Sequence, residues 1–272
     1  MKITVLSDNI GYGQFQGEWG LSFFIEYDGK KFLLDTGSSD NFLLNANKLG
    51  LDISRVDIAV LSHAHYDHSR GMDAFFKVNS NAPFYVSPNA GENCYAGWRF
   101  ISRYIGLPKG VLTSFRSRIK TPDGIVQISD GVYIVPHNTP GLKSIGRKSH
   151  MYVRRGVLDY RVDDFSHEQS LVFKTDAGLV IMNSCSHAGA DVIIEEVRRA
   201  FPSENVYAYV GGLHLFRLSD RDIEDVASRI RREKISVVYT GHCTGERAYQ
   251  ILNRELEGNI HQFHCGMEIT LT

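Results

Sequence analysis

The chain has 272 residues, enough to bury a large hydrophobic core in one large domain or two small ones. Hydrophobic residues make up 43% and charged residues 22%, values that are ordinary for a globular protein. The formal net charge of −1 provides no overall basic field, so composition gives no sign of nucleic-acid or membrane binding.

The N-terminus and the cysteines bear on the cellular compartment. The first seven residues are followed by polar Asp8 and Asn9, so the apolar stretch is too short for a signal peptide. No run of about 18 apolar residues occurs in the sequence, so we expect no transmembrane helix. The four cysteines, which form no CxxC pair, are Cys94, Cys185, Cys243 and Cys265. We therefore expect a cytoplasmic protein without a disulfide framework or a structural zinc knuckle.

Short β-branched or aromatic runs in the first sixty residues predict strands at 3–7, 21–27, 31–35 and 57–62. Asp28-Gly29-Lys30 is a hairpin signal between the second and third strands. Residues 40–49 carry apolar side chains on one helical face, and Gly50 marks the helix end. The fourth strand is continuously apolar, which is typical of a strand buried on both faces. This succession predicts a layered α/β fold.

The second half of the chain repeats the alternation of strands and helices. Predicted strands lie at 170–175, 178–184, Val206–Val210, Val237–Thr240 and 267–272. Predicted helices lie at about Ala190–Ala200, 219–232 and 246–256. Because no linker separates the halves, we predict a single domain over residues 1–272, with two sheets packed inside flanking helices.

Residues 88–165 differ from the rest of the chain. They are rich in Gly, Pro and Ser and show weak periodicity, apart from a predicted helix at 91–104. Positions 90–161 hold 12 Lys or Arg against 4 Asp or Glu, a net charge of +8, which leaves −9 for the remainder. Two interpretations stay open: a solvated surface loop, or a basic lid-like insert that offers cations to an anionic, phosphorylated or carboxylated substrate.

The pattern HxHxDH follows the predicted buried strand and contains the main candidate metal ligands of the sequence. It places His63, His65, Asp67 and His68 within six residues. In an extended segment side chains alternate, so His63 and His65 point to the same side. If a helix then begins near Ser69, Asp67 and His68 face a second point close by. Imidazoles and one carboxylate suit zinc, iron or manganese better than calcium. We expect one or two divalent metal ions here, with zinc as the first choice.

This pattern, together with Phe32-Leu33-Leu34-Asp35-Thr36-Gly37, resembles the metallo-β-lactamase superfamily. Four further motifs extend the resemblance over nearly the whole chain: WGLS at 19–22, SCSHAG at 184–189, GGLHL at 211–215 and HCTG at 242–245. The set is similar to the branch named after a dihydropterin–aminobenzene ribofuranosyl phosphate synthase of methanopterin biosynthesis. The resemblance implies an α/β fold, a four-layer αββα sandwich of two mixed β-sheets flanked by helices, with metals at one edge between the sheets.

The resemblance also implies roles for the motif residues. It assigns His63 and His65 to a first metal, and Asp67 and His68 to a second. His242, at the end of a predicted strand, matches the last metal histidine of the superfamily. Asp67 would also act in catalysis, because a carboxylate beside the metals can orient the nucleophile and take its proton.

The sequence departs from the common superfamily pattern at two places. Most members have a histidine before a hairpin and a bridging aspartate after it, whereas here the corresponding places hold Ser166-His167-Glu168 and Cys185. We expect His187 to complete the ligand set. His167 and Glu168 remain alternative ligands. Cys185 could bind metal as a thiolate or serve as a small buried residue.

Other polar residues have weaker assignments. Asp35 matches the motif that braces the metal loop in the superfamily, and a turn-forming role before Thr36-Gly37 is the alternative. His214 could donate a hydrogen bond to substrate or pack as a buried histidine. The histidines expected to have surface or structural roles are His137, His150, His261 and His264.

These assignments predict a metal-dependent hydrolase, or a related transferase, that acts on a small anionic, phosphorylated or pterin-like substrate. A divalent metal lowers the pKa of bound water from about 15.7 toward about 7 and polarises the electrophile. The sequence contains no GxxxxGK[ST] phosphate loop and no dinucleotide fingerprint, so neither ATP nor NAD is expected.

Two alternatives stay open. The first is a nuclease of the same superfamily, which the basic segment favours. The neutral total charge and the lack of a Lys/Arg-rich tail with stacking aromatics count against it, so we do not expect a nucleic-acid partner. The second is a di-iron redox or sensing protein, for which iron and a visible absorption band would be evidence.

Overall fold

Two large sheets form the centre of the molecule. The structure is a computed structural model that describes residues 1–98, 101–137, 139–156 and 159–272. Its strands are β1 (Lys2–Ser7), β2 (Ser22–Tyr27), β3 (Lys30–Leu34), β4 (Ile58–Val60), β5 (Phe84–Tyr85), β6 (Cys94–Trp98), β7 (Ile101–Tyr104), β8 (Ile119–Lys120), β9 (Val126–Ser129), β10 (Val132–Pro136), β11 (Met151–Arg154), β12 (Tyr160–Val162), β13 (Gln169–Thr175), β14 (Gly178–Met182), β15 (Val206–Val210), β16 (Val237–Thr240), β17 (Ile260–Gln262) and β18 (Glu268–Thr270).

Both large sheets are mixed. The first has the strand order β18-β1-β2-β3-β4-β5-β8 and the second β17-β16-β15-β14-β13-β10-β9. In the first, β1, β2, β3 and β18 pair antiparallel, whereas β3, β4, β5 and β8 run parallel. In the second, β9, β10, β13 and β14 pair antiparallel and β14 to β17 run parallel.

Helices cover the outer face of each sheet. They are α1 (Asn41–Lys48), α2 (Tyr66–Ser69), α3 (Met72–Val78), α4 (Val111–Ser114), α5 (Lys143–Lys148), α6 (Ala190–Ala200), α7 (Asp220–Arg232) and α8 (Glu246–Glu255), and short 3-10 turns lie at Ile53–Arg55 and His242–Thr244. Apolar residues of α1 and α3 pack on the first sheet, and those of α6, α7 and α8 pack on the second. No helix among the described residues is long and apolar enough to cross a membrane.

The alternation of side chains along the strands separates the core into layers. On β2, Phe23 and Ile25 lie between the two sheets, while Phe24 packs with the α1 and α3 layer. On β14, Val180 lies between the sheets and Ile181 packs with the helices of the other side. Burial of each such side chain stabilises the fold by about 1.5–3 kcal/mol. The four-layer αββα sandwich that the sequence predicts is confirmed.

The predicted hairpin between β2 and β3 is also confirmed. Tyr27 pairs with Lys30, which leaves Asp28 and Gly29 as a two-residue loop. Both loop residues have positive φ, 48° and 72°, as a type I′ turn requires.

The helix predicted over 91–104 is wrong. Strands β6 and β7 occupy this range and pair antiparallel, and with β11 and β12 they form a third, four-stranded sheet. The aromatic residues Tyr95, Trp98 and Tyr104 favour a strand, and Gly97 has φ +124°, which no helix accommodates. Residues 99 and 100 lie outside the described part of the chain.

The basic segment at 88–165 contains two kinds of structure. The third sheet and α5 belong to it, but β8 joins the first large sheet and β9 and β10 join the second. The segment is therefore partly built into the sandwich, and only its two flanking parts lie outside the two large sheets.

Candidate metal centre

The HxHxDH loop lies where two adjacent parallel strands of the first sheet end. β3 runs into Asp35, and β4 runs into the loop through Ser62. His65 has extended backbone angles, φ −102° and ψ 152°, and occupies the N-cap position of α2. This helix begins at Tyr66, three residues earlier than the sequence predicts. The rings of His63 and His65 lie on one side of the loop, with centroids 4.6 Å apart.

Asp35 braces this loop, as the resemblance implied. Its Oδ1 accepts the backbone N–H of Ser62 at 2.7 Å, and its Oδ2 accepts the Ser62 hydroxyl at 2.6 Å. The same Oδ2 lies 2.8 Å from Nδ1 of His68. Asp35 is fully buried with φ 62°, a conformation that Asp tolerates better than most residues. One carboxylate therefore orients the start and the end of the loop.

These contacts determine which ring nitrogens carry protons. Because the carboxylate of Asp35 can only accept, Nδ1 of His68 donates, and the lone pair of its Nε2 faces the Cys185 sulfur at 3.3 Å. The Ser62 hydroxyl gives its proton to Asp35, so its oxygen accepts from Nδ1 of His63 at 2.8 Å. The lone pair on Nε2 of His63 is therefore available to a metal ion. A carboxylate that orients ligand histidines by hydrogen bonds, directly or through a hydroxyl group, is typical of metal sites.

The second sheet contributes three further side chains from two loops. Cys185 and His187 follow β14, and His242 follows β16. Glu168 holds the first loop by accepting the N–H groups of His187 and Ala188 at 2.9 and 3.1 Å. The ring of His187 stacks on Phe165, with centroids 4.3 Å apart and an interplanar angle of 3°.

His242 is oriented by the chain's first loop. Its backbone N–H donates to Asp8 at 2.8 Å, and its Nδ1 lies 3.1 Å from Oδ1 of Asn9. An amide oxygen accepts only, so Nδ1 carries a proton and Nε2 is the ring nitrogen left to face Asp67. This Nε2 lies 3.6 Å from Oδ2 of Asp67, which accepts a hydrogen bond from the indole of Trp19 at 2.9 Å.

The two sheets bring these donors together in two adjoining groups. In one, ligand atoms of His63, Cys185 and His187 lie within 4.8 Å of one another, and in the other those of His68, Cys185 and His242 do. The buried imidazole nitrogens that have no hydrogen-bond partner are Nε2 of His63, Nε2 of His65, both nitrogens of His187, Nδ1 of His214 and Nε2 of His242. Such nitrogens are costly to bury unless something binds them, so this donor set fits metal cations.

Burial sets the charge of the first group. It lowers the pKa of His65 to about 3 and lowers the pKa of His63 and of His187 well below the ordinary value. These rings are neutral at pH 7, which is the form that binds metal. Burial also raises the pKa of the Cys185 thiol, which is therefore protonated in the metal-free chain.

Asp67 and His242 form a charged pair beside them. Burial works against the charge of each group, but the neighbouring imidazoles of His68 and His242 hold the pKa of Asp67 well below its usual range. Against the effect of burial, the carboxylate of Asp67 raises the pKa of His242 to about 9 in the metal-free chain, so a bound metal would displace the proton from Nε2. Asp67 is therefore ionised at neutral pH.

A cleft of about 540 Å³ opens onto these donors. His65, Asp67, Cys185 and His187 form part of its lining. Its walls carry three aromatic side chains and three exposed cations: Trp19, Tyr66, Phe216, Arg103, Lys148 and Arg217. Among the described residues that line the cleft, Asp67 is the only carboxylate, so the walls favour an anionic ligand with an aromatic part.

Comparison with known proteins identifies the family. The sequence model of the metallo-beta-lactamase superfamily matches residues 20–197, well over half of the chain. The chain belongs to the metallo-β-lactamase superfamily. Members of this superfamily typically bind divalent metals, and the groups of buried histidine, aspartate and cysteine described above agree with that property.

Two relatives match nearly the whole chain. A Methanocaldococcus jannaschii protein, the 7,8-dihydropterin-6-methyl-4-(β-D-ribofuranosyl)-aminobenzene-5′-phosphate synthase, is 24% identical over 97% of this chain and 94% of its own. A solved structure described as Tm1679, a metal-dependent hydrolase of the β-lactamase superfamily, is 31% identical, with a TM-score of 0.85 over 100% of this chain and 99% of that one. A diphosphatase of the PhnP family shares the fold, with a TM-score of 0.55 at 15% identity.

The structure brings all six predicted ligands, His63, His65, Asp67, His68, His187 and His242, to this one edge between the sheets. The two alternative ligands have other surroundings. His167 forms, with His65, Cys94 and Asp163, a further group of buried donor atoms that lie within 4.8 Å of one another. Nδ1 of His167 accepts the N–H of Ala64 at 3.2 Å, and its Nε2 lies 3.3 Å from Asp163. Both oxygens of Glu168 accept backbone N–H groups.

The remaining histidines divide between the cleft and the periphery. His214 lies near His187, with ring centroids 4.4 Å apart, and lines the cleft together with His150. Buried His137 contacts Glu196 and Ser170, while His261 and His264 pack against Tyr239 and Tyr12.

Sequence reasoning missed several supporting residues. Asn9 and Asp163 are far in sequence from the ligands that they support, and no local pattern marks them. Cys243 directly follows His242 in the HCTG motif, but nothing local links its sulfur to Cys185. Trp19 lay within a motif that the resemblance used, but nothing local linked its indole to Asp67.

Proposed function

We propose that this chain is a metal-dependent hydrolase, or a related transferase, that acts on a small anionic substrate. The observation that carries this proposal is the convergence of partnerless, buried imidazole nitrogens with ionised Asp67 at the base of a cationic cleft. An ordinary protein interior does not leave so many polar atoms unpaired, because each one costs stability.

We assign His63, His65 and His187 to a first ion and Asp67, His68 and His242 to a second. Donors around one tetrahedral zinc ion lie about 3.3–3.6 Å apart, as follows from zinc–nitrogen distances of about 2.0–2.1 Å and zinc–sulfur distances of about 2.3 Å. The distances from Oδ2 of Asp67 to Nε2 of His242 and of His68, 3.6 and 3.9 Å, are close to this spacing. When bound, divalent ions would supply an activated water near neutral pH and polarise the group under attack.

The residues around the ions have separate tasks in this proposal. Asp67 orients the nucleophile and accepts its proton, for which its ionised state is suited. Trp19 holds the carboxylate of Asp67 in place through the indole N–H. His214 faces the cleft from the opposite sheet and donates a hydrogen bond to the substrate.

The cleft walls support a substrate that combines negative charge with a flat ring. Arg103, Lys148 and Arg217 offer charge to a phosphate or carboxylate, and Trp19 and Phe216 offer ring faces. The Methanocaldococcus jannaschii relative is named for a product that joins a dihydropterin to a phosphorylated ribosyl group, and both chemistries fit these walls. The same name favours the transferase form of the proposal.

The test is metal content per chain of the purified protein, measured together with hydrolysis of a generic phosphodiester and a generic lactone. We expect two equivalents of zinc or manganese, turnover that a chelator abolishes, and recovery when metal is restored. Iron with a visible band would instead support the di-iron alternative. One equivalent or none, without turnover, would overturn the hydrolase proposal.

The cationic wall has its own test. Arg103→Gln should raise KM for an anionic substrate about tenfold, with little change in kcat, because the guanidinium lies at the cleft but not among the metal donors. Arg116→Gln is the matched control, since Arg116 is exposed in the same basic segment and does not line the cleft. Equal kinetics for both variants would remove Arg103 from the substrate site.

A further inference from the structure

We propose that the thiolate of Cys185 is a metal ligand shared by both ions, a sulfur bridge at the centre of the site. The inference rests on the proposed function, because it concerns how the same metal centre is built. It names a donor that the histidine and aspartate pattern does not include, and it determines which metals the centre prefers.

The position of the sulfur carries the inference. The Cys185 Sγ belongs to both donor groups: it lies within 4.8 Å of the ligand atoms of His63 and His187, and within 4.8 Å of those of His68 and His242. Its distance to Nε2 of His68 is 3.3 Å, close to the spacing of two ligands on one ion. Among the described residues, Cys185 is the only one that belongs to both of these groups.

Charge requires an anion at this point. Two divalent ions about 3.5–4 Å apart repel each other strongly unless an anionic donor lies between them. Of the nearby carboxylates, Asp67 is assigned to the second ion alone, Glu168 binds two backbone N–H groups, and Asp163 faces His167 and His65. Cys185 is left to provide the charge, since a metal removes the proton from a coordinating thiol.

The loop around Cys185 is built to fix its position. Asn183 Oδ1 accepts the N–H of Cys185 at 3.3 Å and that of Ser186 at 2.7 Å, and Ser186 adopts φ 57°. Cys243 lies behind the sulfur, with Sγ atoms 3.4 Å apart, and can donate its S–H to a Cys185 thiolate. Gly212 makes this possible, because a Cβ there would lie 2.6 Å from the Cys243 sulfur.

A shared thiolate has a consequence for metal choice. Thiolates favour borderline or soft cations such as zinc, whereas carboxylates and water suit manganese and magnesium. We therefore expect the chain to bind zinc at least a hundredfold more tightly than manganese, and Cys185→Asp to reduce that preference.

X-ray absorption spectroscopy of the full chain loaded with two equivalents of zinc tests the inference without relying on activity. A bridging thiolate gives an average of one sulfur per zinc at about 2.3 Å. The signal should vanish in Cys185→Ser and in Cys185→Asp, where only nitrogen and oxygen neighbours remain. Cys94→Ser is the matched control, because Cys94 is equally buried but borders only the His65 side of the site, and it should keep the full sulfur signal.

Each outcome is decisive. Two bound zinc ions with only nitrogen and oxygen neighbours in the unmodified chain would overturn the sulfur bridge and leave the proposed function standing. Half a sulfur per zinc would mean a terminal thiolate, and loss of the signal in Cys243→Ser rather than in Cys185→Ser would assign another sulfur; both overturn the bridge. Failure of the unmodified chain to bind any metal would overturn the proposed function itself. If a Cys185 variant does not fold, the sulfur number of the unmodified chain still decides.

Discussion

The two sheets contribute to the candidate metal centre in different ways. The first sheet supplies His63, His65, Asp67 and His68 from one six-residue loop, and a single carboxylate orients two of their rings directly or through Ser62. The second sheet supplies its donors from loops about fifty residues apart, and each is held by a different partner, among them Glu168. One half of the site is local in sequence, and the other exists only once the fold has formed.

This difference predicts how many of the two metal ions a substitution affects. A change to the first-sheet loop or its brace should disturb both ions, because the loop donates to both groups. A change to a support on the second sheet should disturb one ion and leave the other in place. Substitutions in the two sheets, with effects that decrease from the first sheet to the second, test that contrast.

His65→Ala should have the largest effect. The substitution removes a donor from the loop at the base of the cleft, so we expect loss of metal at the first position and a fall in turnover of more than about a hundredfold. The fold should remain, since the backbone of this segment is held by other contacts such as that of Tyr66 N–H with Ile105 O at 2.8 Å. Metal analysis, turnover and circular dichroism check this, and full activity would refute the role of the loop.

Asp35→Asn should follow. The amide keeps the shape and tolerates the positive φ, but its NH₂ cannot accept from Ser62 or His68, so both rings lose their orientation. We expect metal affinity to fall by about 10–100-fold at both positions, measured by competition with a coloured chelator. A loss confined to one ion would contradict the shared brace.

Glu168→Gln should have a smaller, one-sided effect. One oxygen still accepts a backbone N–H, so the His187 loop loosens without collapsing. We expect about a tenfold loss of affinity for one of the two ions, in the same competition assay. Equal weakening of both ions would show that the second sheet is as tightly coupled as the first.

Acid stability of the metal-free chain should show the smallest effect. The pKa of His65 is about 3 in the folded chain against 6.5 for the ordinary side chain, so the unfolded state binds more protons between these values. Stability from this residue is therefore complete above pH 6.5 and is lost as pH falls toward 3.

Between pH 6 and pH 5, wild type should lose about 1 kcal/mol more of its unfolding free energy than His65→Gln, which cannot be protonated. Urea denaturation of chelator-treated proteins at both pH values measures this difference. Parallel pH dependence of the two proteins would mean that His65 is not desolvated as the structure indicates.

The same contrast explains what the sequence could predict. Short-range spacing determines the geometry of the HxHxDH loop, its strand and the β2–β3 hairpin, so these features could be predicted from the sequence. The core layers followed from alternation along the strands. The resemblance to a known family supplied His242 and the bracing role of Asp35, which spacing alone left open.

What remained unpredicted depends on distant contacts. Nothing local in the sequence shows that Asn9 would orient His242, or that Trp19 would hold Asp67. The helix that local periodicity predicts over 91–104 is wrong, because pairing of β6 with β7 and β11 determines the strands of this range. Cys185 could not be interpreted, because its significance lies in its position between two donor groups from different parts of the chain.

The most direct test of the central claim is an anomalous difference map at the zinc edge from crystals of the zinc-loaded chain. We predict two peaks at the base of the cleft. One should lie among His63, His65 and His187, and the other among Asp67, His68 and His242. No peak at this position, or zinc bound only elsewhere on the chain, would contradict the claim that the two sheets together form a two-metal centre.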